Sequence, residues 1–330
     1  MASIRDVAKH AGVGVGTVSR VLNETGYVSE DTKRKVHETM EELSYTPNEL
    51  ARNLYHNRTG IIGVVIPDLD HPFFSAFTKY VEMALYAQGY KAMICNTVAT
   101  SNREKEYLEM LDRNIVDGII TASHSLDDES YLKNNKPIVS LDRDFGEKIP
   151  IISSDHQKGG LLAAKELIRC KCKNVIQFTG SQRTRNRSFD RHTAFARELT
   201  KHSIQVTTVE TAWNKFTYKY FHKIMAEFMS KYTDVDGIFT MDIPAICCLN
   251  IALQNGISVP RDLKIIGYDG TYLTKMVTPT VTAVRQPIKR LAEQCVETVL
   301  QLIAGEEVVP KCKVLDVSLQ LGGSTRDTVR

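Results

Sequence analysis

Thr17, Ser19, Arg20 and Asn23 place short polar and cationic groups within about two helical turns of one another, beside Val15 and Gly16. Presented on the outer face of one helix, such groups can meet base edges and phosphates in the major groove of a duplex. The surrounding segment, IRDVAKHAGVGVGTVSRVLN at 4–23, has the pattern to present them. Ile4, Val7, Ala8 and Ala11 recur at helical spacing, and Val18, Val21 and Leu22 form a matching stripe. Gly12 supplies permissive backbone between the two, so the spacing predicts a helix-turn-helix with its polar set outward. Two helices about a glycine also occur in domains that touch no nucleic acid, and the continuation of the chain adds the discriminating detail. Ser29 is placed to cap a third helix, with Glu30 and Asp31 in its first turn and Val36, Met40 and Leu43 as its apolar stripe. Pro47 then interrupts the chain before one short helical segment that ends near Leu54.

Beyond residue 60 the period changes. Apolar runs suited to strands occur at 61–67, 91–95, 117–121, 137–142, 174–180, 235–241 and 263–269. Helix-compatible stretches lie among them, at 73–88, 103–114, 157–169, 216–231 and 287–304. Runs that are apolar throughout and alternate with helices predict parallel sheets covered on both faces. The number of such units favours two sheets and hence two lobes.

The 330 residues carry a formal net charge of only +3, and residues 1–58 hold eight Lys/Arg against eight Asp/Glu. Glu38, Glu41 and Glu42 cluster in the third helix, whereas Arg5, Lys9, Arg20, Arg52 and Arg58 lie elsewhere. Charge distribution, and not its total, must therefore supply any phosphate contacts. Ser, His and Asp are abundant, but no nucleophile elbow, P-loop or metal-ligand spacing accompanies them. The seven cysteines are scattered, Cys170, Cys172, Cys247 and Cys248 included, as expected of small buried hydrophobes in a reduced cytoplasm. No export signal and no apolar run approaching the roughly 20 residues that span a bilayer is visible. The reading is of a cytoplasmic, non-enzymatic chain without metal, cofactor or membrane.

DVAKHAGVGVGTVSRVLN, YTPNELARNL and IIGVVIPDL together resemble the LacI family of bacterial transcriptional regulators, and the likeness runs through essentially the whole chain. Gly14 stands where the family usually has a capping serine, a loss of a few tenths of a kcal/mol. The resemblance implies an α/β protein. An all-α helix-turn-helix headpiece (1–47) and a hinge helix with linker (48–60) would precede a two-lobed, periplasmic-binding-protein-like core (61–330). Lobe N would comprise about 61–158 plus 288–315, and lobe C about 159–287 plus 316–330. A homodimer would read double-stranded operator DNA through Ile4, Arg5, Val15, Gly16, Thr17, Ser19, Arg20, Asn23, Ser29, Thr32 and Tyr45. Asn48, Ala51, Arg52 and Leu54 of the hinge would add minor-groove contacts, Leu54 wedging into a central base step.

In open sheets a ligand sits at the carboxyl ends of the strands. Following those ends yields Asp68, His71, Phe73, Phe74, Ser123, His124, Asp142, Arg143, Asp155, Asp242 and Asp269 as candidate effector residues. Carboxylates and guanidinium groups suit sugar hydroxyls because each can hold two at once. Asp142 and Asp155 could equally cap helices, and the two histidines could be packing residues. The resemblance carries over Arg191 (from RHTAF), Asp269 (from GYD) and Gln286 (from VRQP), and places a stacking ring at Trp213 or Phe216. Four arginines fall among the nine residues 183–191. Either the stretch is a solvated loop, or Arg183, Arg185 and Arg187 grip a phosphate and the effector is a sugar phosphate.

GYKAMICNT, EKEYLEMLDRNIVDGIITASHSL, PIISSD, LKIIGYDGT and RQPIK resemble the branch of the family that controls sucrose operons. A repressor released from its operator by a sugar or sugar phosphate is therefore the expectation. A catabolite-control regulator using a phosphocarrier protein or a small-molecule corepressor is the alternative.

Overall fold

Ser3 opens the first helix with a reciprocal cap: its hydroxyl accepts from the Asp6 amide, and the Asp6 carboxylate accepts from the Ser3 amide at 2.8 Å. The computed structural model describes residues 2–23, 25–46, 58–97, 103–123, 128–180, 186–212, 215 and 217–326. It divides into two units, Met1–Gly60 and Ile61–Arg330.

The first unit holds α1 (Ile4–Ala11), α2 (Val15–Leu22) and α3 (Glu30–Glu42). The turn after α1 passes through Gly12 at φ 64°. Val7, Ala8, Ala11, Val18, Val21 and Val36 are buried together, so the apolar stripes of all three helices meet in one small core. Ser29 caps α3 through the Thr32 amide.

The second unit contains two six-stranded sheets. Lobe one is built on β1 (Ile61–Ile66), β2 (Lys91–Asn96), β3 (Gly118–Thr121), β4 (Ile138–Leu141), β5 (Ile151–Ser154) and β11 (Cys312–Leu315). These pair in the order β11-β5-β4-β3-β1-β2, all parallel. The period of two sorts their side chains by face. Ile62, Val64 and Ile66 pack with α4 (Pro72–Ala87) and α11 (Ile288–Ile303). Val65 faces the other way, toward α5 (Arg103–Asp112), and α6 (Asp128–Leu132) supplies Tyr131 to that side.

Lobe two is built on β6 (Asn174–Thr179), β7 (Gln205–Glu210), β8 (Gly237–Phe239), β9 (Lys264–Asp269), β10 (Thr282–Arg285) and β12 (Ser318–Gln320). Their order is β12-β10-β9-β8-β6-β7, with β12 alone antiparallel. One face carries α9 (Tyr218–Lys231) and α10 (Asp242–Gln254), and the other carries α7 (His156–Arg169) and α8 (Asp190–Lys201). The chain passes between the sheets at 155–156, 286–287 and 316–317. Ser154 Oγ donates to Gln286 Oε1 at 2.7 Å and Lys158 Nζ to Asp316 at 2.5 and 2.7 Å, so the crossovers are bonded to one another. Among the described residues no helix is long and apolar enough to cross a membrane.

Candidate functional site

On the first unit, α2 presents the polar set its sequence implies. Val15 is 43% exposed, a Cβ on Gly16 would meet nothing within 4 Å, and Arg5 and Arg20 are exposed, while Thr17 and Ser19 are half-buried. Asn23 Nδ2 donates to Ser19 Oγ at 3.2 Å, which turns these two side chains toward each other. The amino end of α2 at Gly14 has no side-chain cap, leaving its first amides available to an anion. Ile4 and Tyr45 are partly buried, each resting against the three-helix core while keeping part of its surface exposed. Ser29 and Thr32 share a hydroxyl hydrogen bond of 2.8 Å at the start of α3. Asn48, Ala51, Arg52 and Leu54 lie outside the described residues.

On the second unit, the carboxyl ends of both sheets converge on Arg191. Its guanidinium lies 4.3 Å from the centre of the Tyr268 ring, and Nε donates to His192 Nε2 at 3.2 Å. A close helix contact places it there. A Cβ on Gly160 of α7 would sit 2.1 Å from the Arg191 carbonyl oxygen, so only glycine lets α7 and α8 approach this far. The field of Arg191 reaches His71 and Asp142 of lobe one and Asp269 and His192 of lobe two.

A chain of hydrogen bonds runs between the lobes beside it. Ser153 Oγ donates to Asp142 Oδ1 at 2.7 Å; His156 places Nε2 2.9 Å from the same oxygen and Nδ1 2.7 Å from the Tyr268 hydroxyl. Gln286, held by Ser154, donates Nε2 to Asp269 Oδ1 at 2.8 Å. The Arg187 amide donates to the Asp142 carbonyl at 2.9 Å. Asp142 and Asp269 both stand at positive φ, 63° and 111°, a conformation that non-glycine residues rarely hold.

Burial shapes the electrostatics. It holds His71 down to about 4, with Arg191 acting in the same direction, and holds His192 well below the usual imidazole range. Burial pushes Asp269 up, against the opposing pull of Arg191. It pushes Asp242 up too, and the Asp269 charge adds to it. For Asp142 burial acts upward, but His156, Ser153 and Arg191 outweigh it and keep the carboxyl below its ordinary range. The result is a cleft in which one guanidinium, carboxylates and uncharged imidazoles alternate as donors and acceptors. Such an array suits a polyhydroxylated ligand. Among the described residues no group of three or more His, Cys, Asp or Glu could hold a metal ion.

Both units have close counterparts. Residues 3–48 match the family described as bacterial regulatory proteins, lacI family, and residues 164–325 match a periplasmic binding protein-like domain. The sucrose operon repressor of Streptococcus mutans is 38% identical over 325 residues, covering 98% of this chain and 99% of that protein. The chain belongs to the LacI family. It is a DNA-binding transcriptional regulator and not an enzyme. The ribose operon repressor of Halalkalibacterium halodurans is 36% identical, covering 87% of this chain and 86% of that one. A periplasmic binding protein/LacI transcriptional regulator from Alkaliphilus metalliredigens, solved with D-xylulofuranose, superposes with a TM-score of 0.74. It is 28% identical, and the match covers 81% of this chain and 100% of that one.

Within this LacI-family core the structure brings Asp142, Arg191, Asp269 and Gln286 together and disperses several other candidates. Arg143 is fully buried inside lobe one, its guanidinium 4.4 Å from the Phe145 ring centre and its NH1 3.7 Å from Glu104 Oε1. Phe73 is a core residue beside Phe77, whereas Phe74 is half-buried next to His71. Ser123 donates to Glu104 Oε2 at 2.9 Å, so its hydroxyl is used inside the lobe. Both Asp242 oxygens accept from the 270–271 loop, Oδ2 from the Thr271 amide and hydroxyl at 2.7 Å each. Asp242 is thus a clamp on that loop, and Asp155 is a helix cap through the Lys158 amide at 2.9 Å. Asp68 is buried just after β1, with Oδ1 accepting from the Asp70 amide at 2.9 Å. Arg187 is half-buried; Arg183, Arg185, His124, Trp213 and Phe216 lie outside the described residues. Sequence reasoning missed His156, Ser153, Tyr268, His192 and Glu104. His156 follows a strand end and could have been found by that rule; a buried glutamate on a charged helix leaves no such signal.

Proposed function

We propose that this regulator represses a sugar-utilisation operon, with sucrose as the sugar, and that occupation of the interlobe cleft releases it from its operator. The observation that carries the proposal is that Asp142 and Asp269, from different lobes, sit on hydrogen-bonded chains beside Arg191: Asp142–His156–Tyr268, with the Arg191 guanidinium 4.3 Å from the Tyr268 ring centre, and Ser154–Gln286–Asp269. A sugar held by all three would favour one arrangement of the lobes over another, which is what ligand-driven switching requires. The kinship with the sucrose operon repressor of Streptococcus mutans supports sucrose, and the D-xylulofuranose complex of the Alkaliphilus metalliredigens regulator supports a furanose-bearing ligand.

In this reading two copies set two α2 helices into half-sites about one helical turn apart. Residues 48–54 act as the hinge helix, with Leu54 at a central minor-groove step. So short a helix needs its duplex and its mate to persist, and a change in lobe geometry melts it. Headpiece 1–47, linker 48–60 and core 61–330 are the corresponding functional segments.

The test is fluorescence anisotropy of a duplex selected by the full-length protein, titrated with and without sucrose, sucrose 6-phosphate, fructose and ribose. Release by sucrose of about 5–150-fold in affinity is expected, the usual span of allosteric coupling. Tighter binding with sugar reverses the proposed sign, and a response to ribose alone replaces the sugar. Equal response to sucrose and its phosphate removes any role for Arg183, Arg185 and Arg187 in holding a phosphate.

A further inference from the structure

We infer that lobe two carries a second ligand site, an apolar cavity suited to a neutral, flat aromatic molecule and distinct from the cleft around Arg191. The cavity has a volume of about 420 Å³ and lies between the C-terminal half of α9, the middle of α10 and the sheet. Val235 and Leu263, just before β8 and β9, line it, as does Gly256 beyond the end of α10. These positions belong to the amino ends of the strands, whereas the cleft gathers the carboxyl ends. The two sites therefore stand at opposite ends of one sheet.

The space reaches into the interior of the lobe. Ile176, Phe178, Met225, Ile238, Cys248 and Leu263 of its wall are each at most 3% exposed. Protein interiors are close-packed, with few voids larger than a water molecule. This volume falls instead in the span of small-molecule sites, roughly 300–1,000 Å³. Water is a poor occupant, because a buried water needs about two to four polar partners. Among the described lining residues the polar groups stand at the mouth, where Thr233 and Asp262 are exposed and Tyr232 is half-buried. The Asp262 carboxylate is already engaged, accepting from the Ser258 amide at 3.0 Å and from the Arg261 guanidinium at 3.2 and 3.3 Å. A charge carried inward would go uncompensated, so the ligand is uncharged.

The wall also selects the shape of its occupant. Phe178 meets Phe228 edge to face with ring centres 5.1 Å apart, and Phe228 stacks on Tyr232 at 5.4 Å. Met225, Met229 and Cys248 add three sulfurs to this aromatic row. Further rings pack favourably against ring edges and against thioether sulfur, and unbranched methionines adapt to an irregular outline. At the mouth Gly256 stands at φ 74°, and a Cβ there would meet nothing within 4 Å, which leaves a way in.

The experiment is calorimetric titration of the full-length protein with indole as probe. Parallel arms use 1-octanol, a neutral aliphatic with the same number of heavy atoms, and indole-3-acetate, a charged aromatic. Variants Cys248→Leu and Val235→Phe, which add carbon atoms to the cavity, are compared with R191Q in the cleft. Saturable binding of indole to wild type and R191Q, weakened tenfold or more in both filled variants, is the expected result. The filled variants should melt no lower than wild type, because the added atoms enter empty space; should one fail to fold, the other decides. A lower melting temperature in both shows the space already occupied and overturns the inference. Indole binding that is absent from wild type, unchanged by filling, or lost in R191Q overturns it too. Octanol or indole-3-acetate binding as tightly as indole overturns the ligand class. No arm involves sugar or operator, so these outcomes leave the sugar-cleft proposal standing or falling on its own titrations.

Discussion

Replacing Asp269 by asparagine isolates the strain of holding two acidic side chains in the floor of lobe two. Burial pushes the Asp269 carboxyl above its ordinary 3.8, and Asp242 is raised in the same direction, partly by the Asp269 charge. A carboxyl with a raised folded-state pKa keeps its proton after the unfolded chain has lost it. The folded state is then favoured at low pH and loses that advantage as pH rises through the raised value. Each such group changes stability by about 1.4 kcal/mol per pH unit across the window. Asparagine cannot titrate, can still accept from Gln286 Nε2, and spares Asp242 its like-charged neighbour.

The comparison must be made as a difference between variant and wild type, because His71 and His192 lie in the same window with the opposite sign. Their folded-state values are depressed, so they add stability as pH rises toward the ordinary 6.5. That contribution is common to both proteins and cancels. Melting temperatures at pH 5, 6 and 7 are the assay. At about 2–4 °C per kcal/mol for domains of comparable size, wild type should lose roughly 3–5 °C per pH unit relative to D269N. Parallel profiles would show that Asp269 titrates normally in the folded protein and would refute the assignment of a buried, repelling carboxylate pair.

Three further outcomes follow from named contacts. Gly160→Ala drives a methyl into the Arg191 carbonyl, and forced overpacking of this kind costs about 1–3 kcal/mol. Calorimetry should show a lower melting point and, in sugar titrations, weakened cleft binding; an unchanged protein refutes the close α7–α8 contact. Glu104→Gln removes the carboxylate 3.7 Å from the fully buried Arg143, and breaking a buried pair costs about 3–5 kcal/mol. A thermal shift below 1 kcal/mol equivalent would contradict that burial. Arg20→Ala should weaken operator binding more than about tenfold, as expected for a lost charge-assisted contact, while leaving melting unchanged because the side chain is exposed. Anisotropy with a matched salt series checks this, and undiminished affinity removes Arg20 from the DNA surface.

The elements that were legible in sequence are those with strong local patterns. The headpiece stripes read correctly because Val7, Ala8, Ala11, Val18, Val21 and Val36 sit at helical spacing on the faces that meet. The long apolar strands β1, β6 and β9 were equally plain. β7, β10, β11 and β12 escaped the strand pattern: β7 is an edge strand with Thr207 and Thr208 at its centre, and the others are three or four residues long. β3, β4 and β8 are as short but lie in apolar runs, whereas Thr282, Arg285, Lys313, Ser318 and Gln320 break any such run in β10, β11 and β12.

For the site, the strand-end rule located Asp142 and Asp269, because strand ends are a property of order along the chain. The residues themselves therefore determined the three-helix headpiece, the parallel two-lobed core and the strand ends that form the proposed effector cleft. Tertiary structure alone decided which polar side chains remain available there. Arg143 was turned inward by Glu104, Asp242 was consumed by Thr271, and His156 was joined to Tyr268, 112 residues away. Periodicity reports which face of an element is buried, but a buried charge takes whichever partner the fold brings within hydrogen-bonding distance, and that partner has no signature in the local sequence.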